Sequence, residues 1–339
     1  MLFQLYGSTA MTQLLGWVLV FAGLVILNEI GRRTKIGGIV LFVIIPAVLT
    51  IYFITIQAGL FGGHSNQTYE YMNGWFHYAK LYAADIGVVG FLMIKYKWGI
   101  GKKEWFKPWP FVIVAINILI AVVSDFESAI RAYQITGDFS GAWWASNEGV
   151  FLYGGWWNIV NGIAGLINIF CMTGWWGIYS SKKKDDMLWP DMTWMFILAY
   201  DVWNFQYTYL NLPTHSWYCG VALLLAPTFA AAFWNKGGWI QNRANTLALW
   251  CMFAQVFPLF QDQGKFAVIP RLYADGFMDA ATHPTAVDPT AQISVLSIVV
   301  NVVVFAAIIK RSVKLKKNPY KDEIWKGTKD YEEAMSRAE

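Results

Sequence analysis

A chain of 339 residues could form two soluble domains, but 56% of this one is apolar, 17% aromatic and only 14% charged. Soluble proteins carry about a quarter charged residues, so an ordinary soluble protein is excluded. The net charge of +4 is small, and we read the partners as the lipid bilayer and a small-molecule solute, with no nucleic acid.

Spanning the hydrocarbon takes about 20 apolar residues in a helix, since each adds about 1.5 Å and no backbone polar group can stay unpaired in lipid. In chain order this predicts spans near residues 11–31, 37–60, 70–95, 108–130, 149–179, 187–211, 214–234, 239–260 and 291–310. The joints support the count. Arg32, Arg33 and Lys35 follow span 1; Lys95, Lys97, Lys102, Lys103 and Lys107 separate spans 3 and 4; Lys182 to Lys184 follow span 5; Lys236 and Arg243 separate spans 7 and 8; and the tail from Lys310 is rich in Lys and Arg. All lie on alternate joints, with Arg131, Lys265 and Arg271 opposite. The positive-inside rule then predicts an all-α polytopic membrane protein, a bundle of about nine transmembrane helices with the N-terminus outside and the C-terminus cytoplasmic. The expected location is the plasma membrane. Residues 1–310 form a single helical domain and 311–339 a charged cytoplasmic tail, read as a short helix or frayed end. Nothing in the pattern sets the oligomeric state, and an oligomer is compatible with it.

Charges follow the first apolar run instead of preceding it, so span 1 is read as a retained helix and not as a signal peptide. Residues 131–148 and 261–290 are the longest outer pieces, candidate lids, and the second could hide a re-entrant segment. Cys171, Cys219 and Cys251 fall inside spans without metal or redox spacing and read as buried thiols. Pro46 and Pro227 lie mid-span, where each removes a backbone hydrogen bond. Asn66-Gln67-Thr68 matches a glycosylation acceptor on the outer side, a short pattern of low specificity.

Ionisable groups inside spans cost several kcal/mol unless paired or hydrated, and so point to function. Lys80 lies about 12 Å from the outer end of span 3, Asp85 about 20 Å from it, and Asp201 about 15 Å from the outer end of span 6. Lys80 and Asp201 thus share a level and are the expected pair; Asp85, about 140° around the helix from Lys80, is left to titrate. A structural ion pair fixing register is the alternative. Span 6 adds Tyr200, Trp203, Asn204, Gln206 and Tyr207. Span 5 carries Asn158, Asn161 and Asn168 on one stripe, interleaved with Gly155, Gly162 and Gly165, which suits either solute binding or interhelical glue. Glu29 with Arg32 and Arg33, and Glu127 with Arg131, have the three- and four-residue spacing of helix-surface pairs. Asp125 falls on a different face from Glu127.

The outer joints and helix ends hold Glu70, Asp125, Glu127, Asp138, Glu148, Asp262, Asp275, Asp279 and Asp288 against three basic residues. A negative mouth concentrates cations, although depletion of outer lysine alone also produces it. Belts at the bilayer boundaries absorb most of the 19 tryptophans. Of the remainder, Trp75, Trp156, Trp157 and Trp203 fall in the outer halves of spans 3, 5 and 6, beside Tyr200 and Tyr207, as walls for a cation-π cage. His64, His77, His215 and His283 fall on or near the outer side. His77 and His215 mark the outer mouth with Asp125 and Glu127. No metal site and no resident cofactor is expected; haem ligated by His77 and His215, or a polyene on Lys80, are the cofactor alternatives. P-loop, dinucleotide, H-E-x-x-H and G-x-S-x-G patterns are absent.

The resulting expectation is a proton-coupled secondary transporter of a small cationic or amphipathic organic solute, more a carrier than an enzyme. Asp201 and Asp85 hold the proton, Lys80 is their charge partner, and Asn158, Asn161 and Asn204 bind polar groups. The cavity lies between spans 3, 5 and 6. A membrane-embedded enzyme or cofactor binder and a non-transporting receptor are the alternatives.

Overall fold

A computed structural model describes residues 2, 3, 5, 7–192, 194–268, 270 and 290–339. The lid or re-entrant piece expected at 261–290 falls mostly outside them, as do Arg271, Asp275, Asp279, His283 and Asp288. Among the described residues the fold is mostly helical with little sheet, and four helices are long and apolar enough to cross a membrane, consistent with an all-α membrane protein.

Each predicted span contains a helical segment. These are α1 (Ala10–Arg33), α2 (Lys35–Gln57), α3 (Trp75–Lys95), α4 (Trp109–Thr136) and α5 (Trp156–Phe170). They continue with α6 (Trp194–Gln206, extended by a wider π-type turn over Tyr207–Asn211), α7 (Tyr218–Phe233), α8 (Trp239–Val256) and α9 (Thr290–Leu315). A short α10 (Lys329–Met335) ends the chain. Mid-span proline is accommodated locally in α2. A π-type turn over Val40–Ile44 precedes Pro46, whose missing N–H falls in the first turn of the segment after it.

Span 5 is the main correction. Residues 149–179 were expected to be one helix, yet only Trp156–Phe170 is helical. Residues before it form a hairpin of β1 (Ala142–Ala145) and β2 (Phe151–Gly154), paired from Ala142 with Gly154 to Ala145 with Phe151. Alternating aromatics suit a strand, and the Gly154-Gly155 pair stops the helix from starting earlier. Beyond Phe170, Gly174 adopts φ +62°, and its N–H donates to Pro319 O in the tail. A second small hairpin joins β3 (Tyr179–Ser180) to β4 (Met187–Leu188).

Helices α4, α5, α6 and α9 share one core, centred on Phe111, Ile118, Val122, Ala164 and Phe196. Helices α1, α2, α3, α7 and α8 share another, around Leu24, Phe53, Leu81, Val88 and Leu223. Close approach of α5 to its neighbours depends on glycine. A Cβ at Gly165 would lie 2.7 Å from Trp203 Nε1 and from Val122 Cγ2, and one at Gly162 would lie 2.8 Å from Phe126.

The lysine-rich joints meet at one end. Arg32 Nη1 lies 2.5 Å from Asp186 Oδ1, Arg337 also pairs with Asp186, and Glu29 holds Arg32 and Arg33 at 2.6 Å each. Lys95 donates to Arg32 O. The tail packs onto this end: Trp325 N donates to Asp191 Oδ1, Arg311 lies 4.8 Å over the Trp325 ring, and Ala338 bridges to Ser181.

Candidate functional site

A cavity of about 100 Å³ lies at the seam where the two helix groups meet. Helix α3 supplies Phe76, His77 and Lys80; α6 supplies Tyr200, Trp203, Asn204 and Tyr207; α8 supplies Arg243, Trp250 and Gln255. At the end away from the lysine-rich joints it adjoins a vestibule of about 390 Å³. The vestibule is lined by Trp75, Glu127, Arg131, Trp144 and Glu148, and shares Phe76, His77, Leu212 and His215 with the cavity. These four form its neck.

Two imidazole–carboxylate pairs hold the neck. His77 Nδ1 lies 2.9 Å from Glu148 Oε2, and His215 Nε2 lies 2.9 Å from Asp262 Oδ1. Glu148 also accepts from Phe76 N at 3.0 Å, capping the start of α3 from the β1–β2 turn. Burial works to raise the Asp262 carboxyl, but the charge and hydrogen bond of His215 outweigh it and hold it below its usual range. Three acids of the expected negative mouth are therefore consumed: Glu148 and Asp262 are paired, and Asp125 is buried inside the bundle.

Inside the cavity the charge is positive. Lys80 Nζ donates to Asn117 O at 2.9 Å and lies 5.7 Å over the Phe76 ring. Arg243, 6% exposed, donates from Nε to Tyr200 Oη at 3.2 Å, while its Nη1 is buried without a hydrogen-bond partner among the described residues. Neither cation has a carboxylate at ion-pair distance among the described residues, and none lines the cavity. Gln255 donates to His77 O, and its Oε1 is likewise without a partner.

The expected Lys80–Asp201 pair does not form. The expected depths said nothing of the direction of each side chain around its helix axis. Asp201 faces a separate crevice of about 250 Å³ at the lysine-rich end, lined also by Thr228, Lys236, Trp239 and Asp330. Its Oδ2 accepts from Thr228 Oγ1 at 2.8 Å, and its Oδ1 is buried without a partner among the described residues. Asp85 lines neither the cavity, the vestibule nor the crevice.

The asparagine stripe is corrected as well. Asn158 and Asn161 do not reach the cavity; their amides donate to the two oxygens of Asp125 at 2.9 and 2.7 Å, and Asn168 donates to Asn301 Oδ1 at 2.8 Å. Asp125 on α4 faces α5, so the stripe is interhelical glue around a fully buried carboxylate. Trp157 is buried among Tyr153, Tyr209 and Leu210 with Trp156 packed beside it, behind the cavity wall; Trp75 lines the vestibule. Tyr200, Trp203, Asn204 and Tyr207 do line the cavity.

The chain belongs to the family of unknown function DUF5692, whose sequence profile matches residues 7–337. No curated protein and no solved structure matches it. The site must therefore be read from its own chemistry.

Arg243 was missed because it was placed in the joint between spans 7 and 8. A signal existed: Gln241, Asn242, Arg243, Asn245 and Thr246 crowd the first turns of α8, and all are buried. Among the described residues, no three His, Cys, Asp or Glu side chains are grouped to hold a metal ion. His77 and His215, the expected pair for haem, each place one ring nitrogen against a carboxylate, Glu148 and Asp262 respectively.

Proposed function

We propose that this protein is a secondary transporter of a small organic anion with an apolar or aromatic body. In this reading the chain crosses the plasma membrane nine times, with the N-terminus outside and the C-terminus in the cytoplasm. The observation that carries the proposal is the pair Lys80 and Arg243, two cations facing one aromatic-walled cavity with no carboxylate at ion-pair distance among the described residues. It reverses the sign expected from the outer face.

An uncompensated charge inside a bundle costs several kcal/mol, and a carboxylate at about 4 Å returns about 4 kcal/mol at an effective dielectric constant of about 20. Arg offers a planar fork matched to a carboxylate, and Lys a compact second charge. Trp203, Tyr207 and Trp250 supply faces for the body of the solute, with the Asn204 and Gln255 amides at hand for a further polar group. A vestibule on one side and a crevice on the other favour a carrier over an embedded enzyme or a receptor.

Binding to the purified protein in lipid nanodiscs tests this with three probes of one shape: benzoate, benzamide and benzylamine. Benzoate alone is expected to raise the melting temperature and, in proteoliposomes, to be taken up saturably. Stabilisation by benzylamine with no effect of benzoate would sink the proposal.

A further inference from the structure

We infer that Asp201 is the proton-binding site coupled to occupancy of the cavity, with Arg243 as the group shared between them. This inference rests on the anion reading above. It assigns a role to the one intramembrane carboxylate that faces the crevice at the lysine-rich end.

A continuous set of contacts joins the two compartments. Asp201 Oδ2 accepts from Thr228 Oγ1 at 2.8 Å, and Thr228 Oγ1 accepts from Trp239 Nε1 at 2.9 Å. The Trp239 ring meets Tyr200 edge-on at 5.0 Å, and Tyr200 Oη accepts from Arg243 Nε at 3.2 Å. The Arg243 guanidinium also lies 5.5 Å over the Tyr200 ring. Tyr200 and Trp239 thus separate cavity from crevice, and the charge of Arg243 acts on both sides of them.

The other charges facing Asp201 are spoken for. Lys236, in the joint between α7 and α8, pairs with Asp330 of α10 at 3.3 Å, and both line the crevice. Thr228 on α7 contributes a hydroxyl only. Among the described residues, Arg243 on α8 is the cation left to balance Asp201.

Linkage follows from that sharing. With the cavity empty, the Asp201 carboxylate compensates Arg243 at a distance. A solute carboxylate at Arg243 takes over this role and leaves Asp201 with an uncompensated negative charge in a low-dielectric setting. Asp201 then takes one proton from water in the crevice, forming an O–H bond at the unpartnered Oδ1 and becoming a neutral acid. Departure of the solute reverses the step and returns the proton to the crevice. Because coupling is reciprocal, protonation of Asp201 must also tighten solute binding.

Benzoate affinity, measured across neutral and mildly alkaline pH in nanodiscs, provides the test. The native protein is expected to bind more weakly as pH rises, by up to about tenfold per unit for one linked proton. The Asp201→Asn protein, a mimic of the protonated state, is expected to bind tightly with no pH slope, and Asp201→Glu to restore the slope. A merely structural Asp201 would give the opposite, weaker binding with the slope intact. A slope that survives in Asp201→Asn but vanishes in His77→Gln or His215→Gln overturns the assignment, and so does a native protein that binds benzoate without any slope. In both of these cases the anion reading stands. Absence of benzoate binding at every pH overturns the anion reading and this inference together.

Discussion

Two buried groups of charges in this protein obey opposite rules. At the lysine-rich end, Arg32 and Arg337 converge on Asp186, Glu29 takes the remaining valence of Arg32, and Arg337 also donates to Asn235 at 3.1 Å. That cluster closes on itself and ties α1, the β3–β4 joint and the tail together. In the cavity, Lys80 and Arg243 have no carboxylate at ion-pair distance among the described residues; a carbonyl, a phenol and aromatic faces contact them instead. A closed cluster fixes the fold, whereas an open one stores unmet electrostatic demand that a ligand can satisfy.

Removing the shared anion of the closed cluster strands two arginines, so Asp186→Ala is expected to cost about 3–5 kcal/mol, read as a lowered melting temperature. Benzoate affinity of the folded fraction should not move; a change in affinity without a loss of stability would erase the contrast between the two regions. Arg243→Gln should behave in the opposite way. Benzoate binding is expected to fall about 100-fold or more, in line with the roughly 2–5 kcal/mol seen on truncating one partner of a buried charge pair. Its melting temperature without ligand should change little, because Asp201, left without the cation that balances it, can take up a proton and become neutral. Lys80→Gln is expected to weaken binding by about tenfold, less than Arg243→Gln, since a single ammonium already shared with Asn117 O contributes less than a bidentate fork.

The neck adds a dependence on acid. Since the folded state holds the Asp262 carboxyl below its ordinary range, the His215 pair contributes stability that is fully present above the unfolded carboxylate's pKa and is lost as pH falls through the folded value. Melting curves from neutral to acidic pH should show this loss in the native protein, and Asp262→Asn should flatten that part of the profile. Smallest of all, Trp156→Phe should leave benzoate affinity unchanged, because its ring packs on Trp157 behind the cavity wall.

Much of the bundle was legible because hydropathy and charge along the chain are local properties. Helices fall in each predicted span, and the short-range pairs Glu29 with Arg32 and Arg33, and Glu127 with Arg131 at 3.9 Å, appear where helical spacing places them. Span 5 was read too long because Trp, Tyr and Phe are as apolar in a strand as in a helix, and hydropathy alone does not separate the two. On the site, the aromatic face of α6 was legible from its spacing, with Tyr200, Trp203, Asn204 and Tyr207 all at the cavity. The asparagine stripe was visible but its partner was not: nothing in the spacing of Asn158 and Asn161 says that Asp125 stands opposite.

The sequence by itself determined that lipid is the solvent and which stretches hold a helix, because these follow from composition and from hydropathy along one chain. Only the tertiary structure decided which charges meet. Lys80 and Asp201, expected at one level, face different compartments, and Arg243, assigned to a joint, lines the cavity. The reason is geometric: a helix's own sequence fixes the height of a side chain along its axis, but its partner depends on how that helix is rotated against its neighbours, and every contact in the bundle contributes to that rotation.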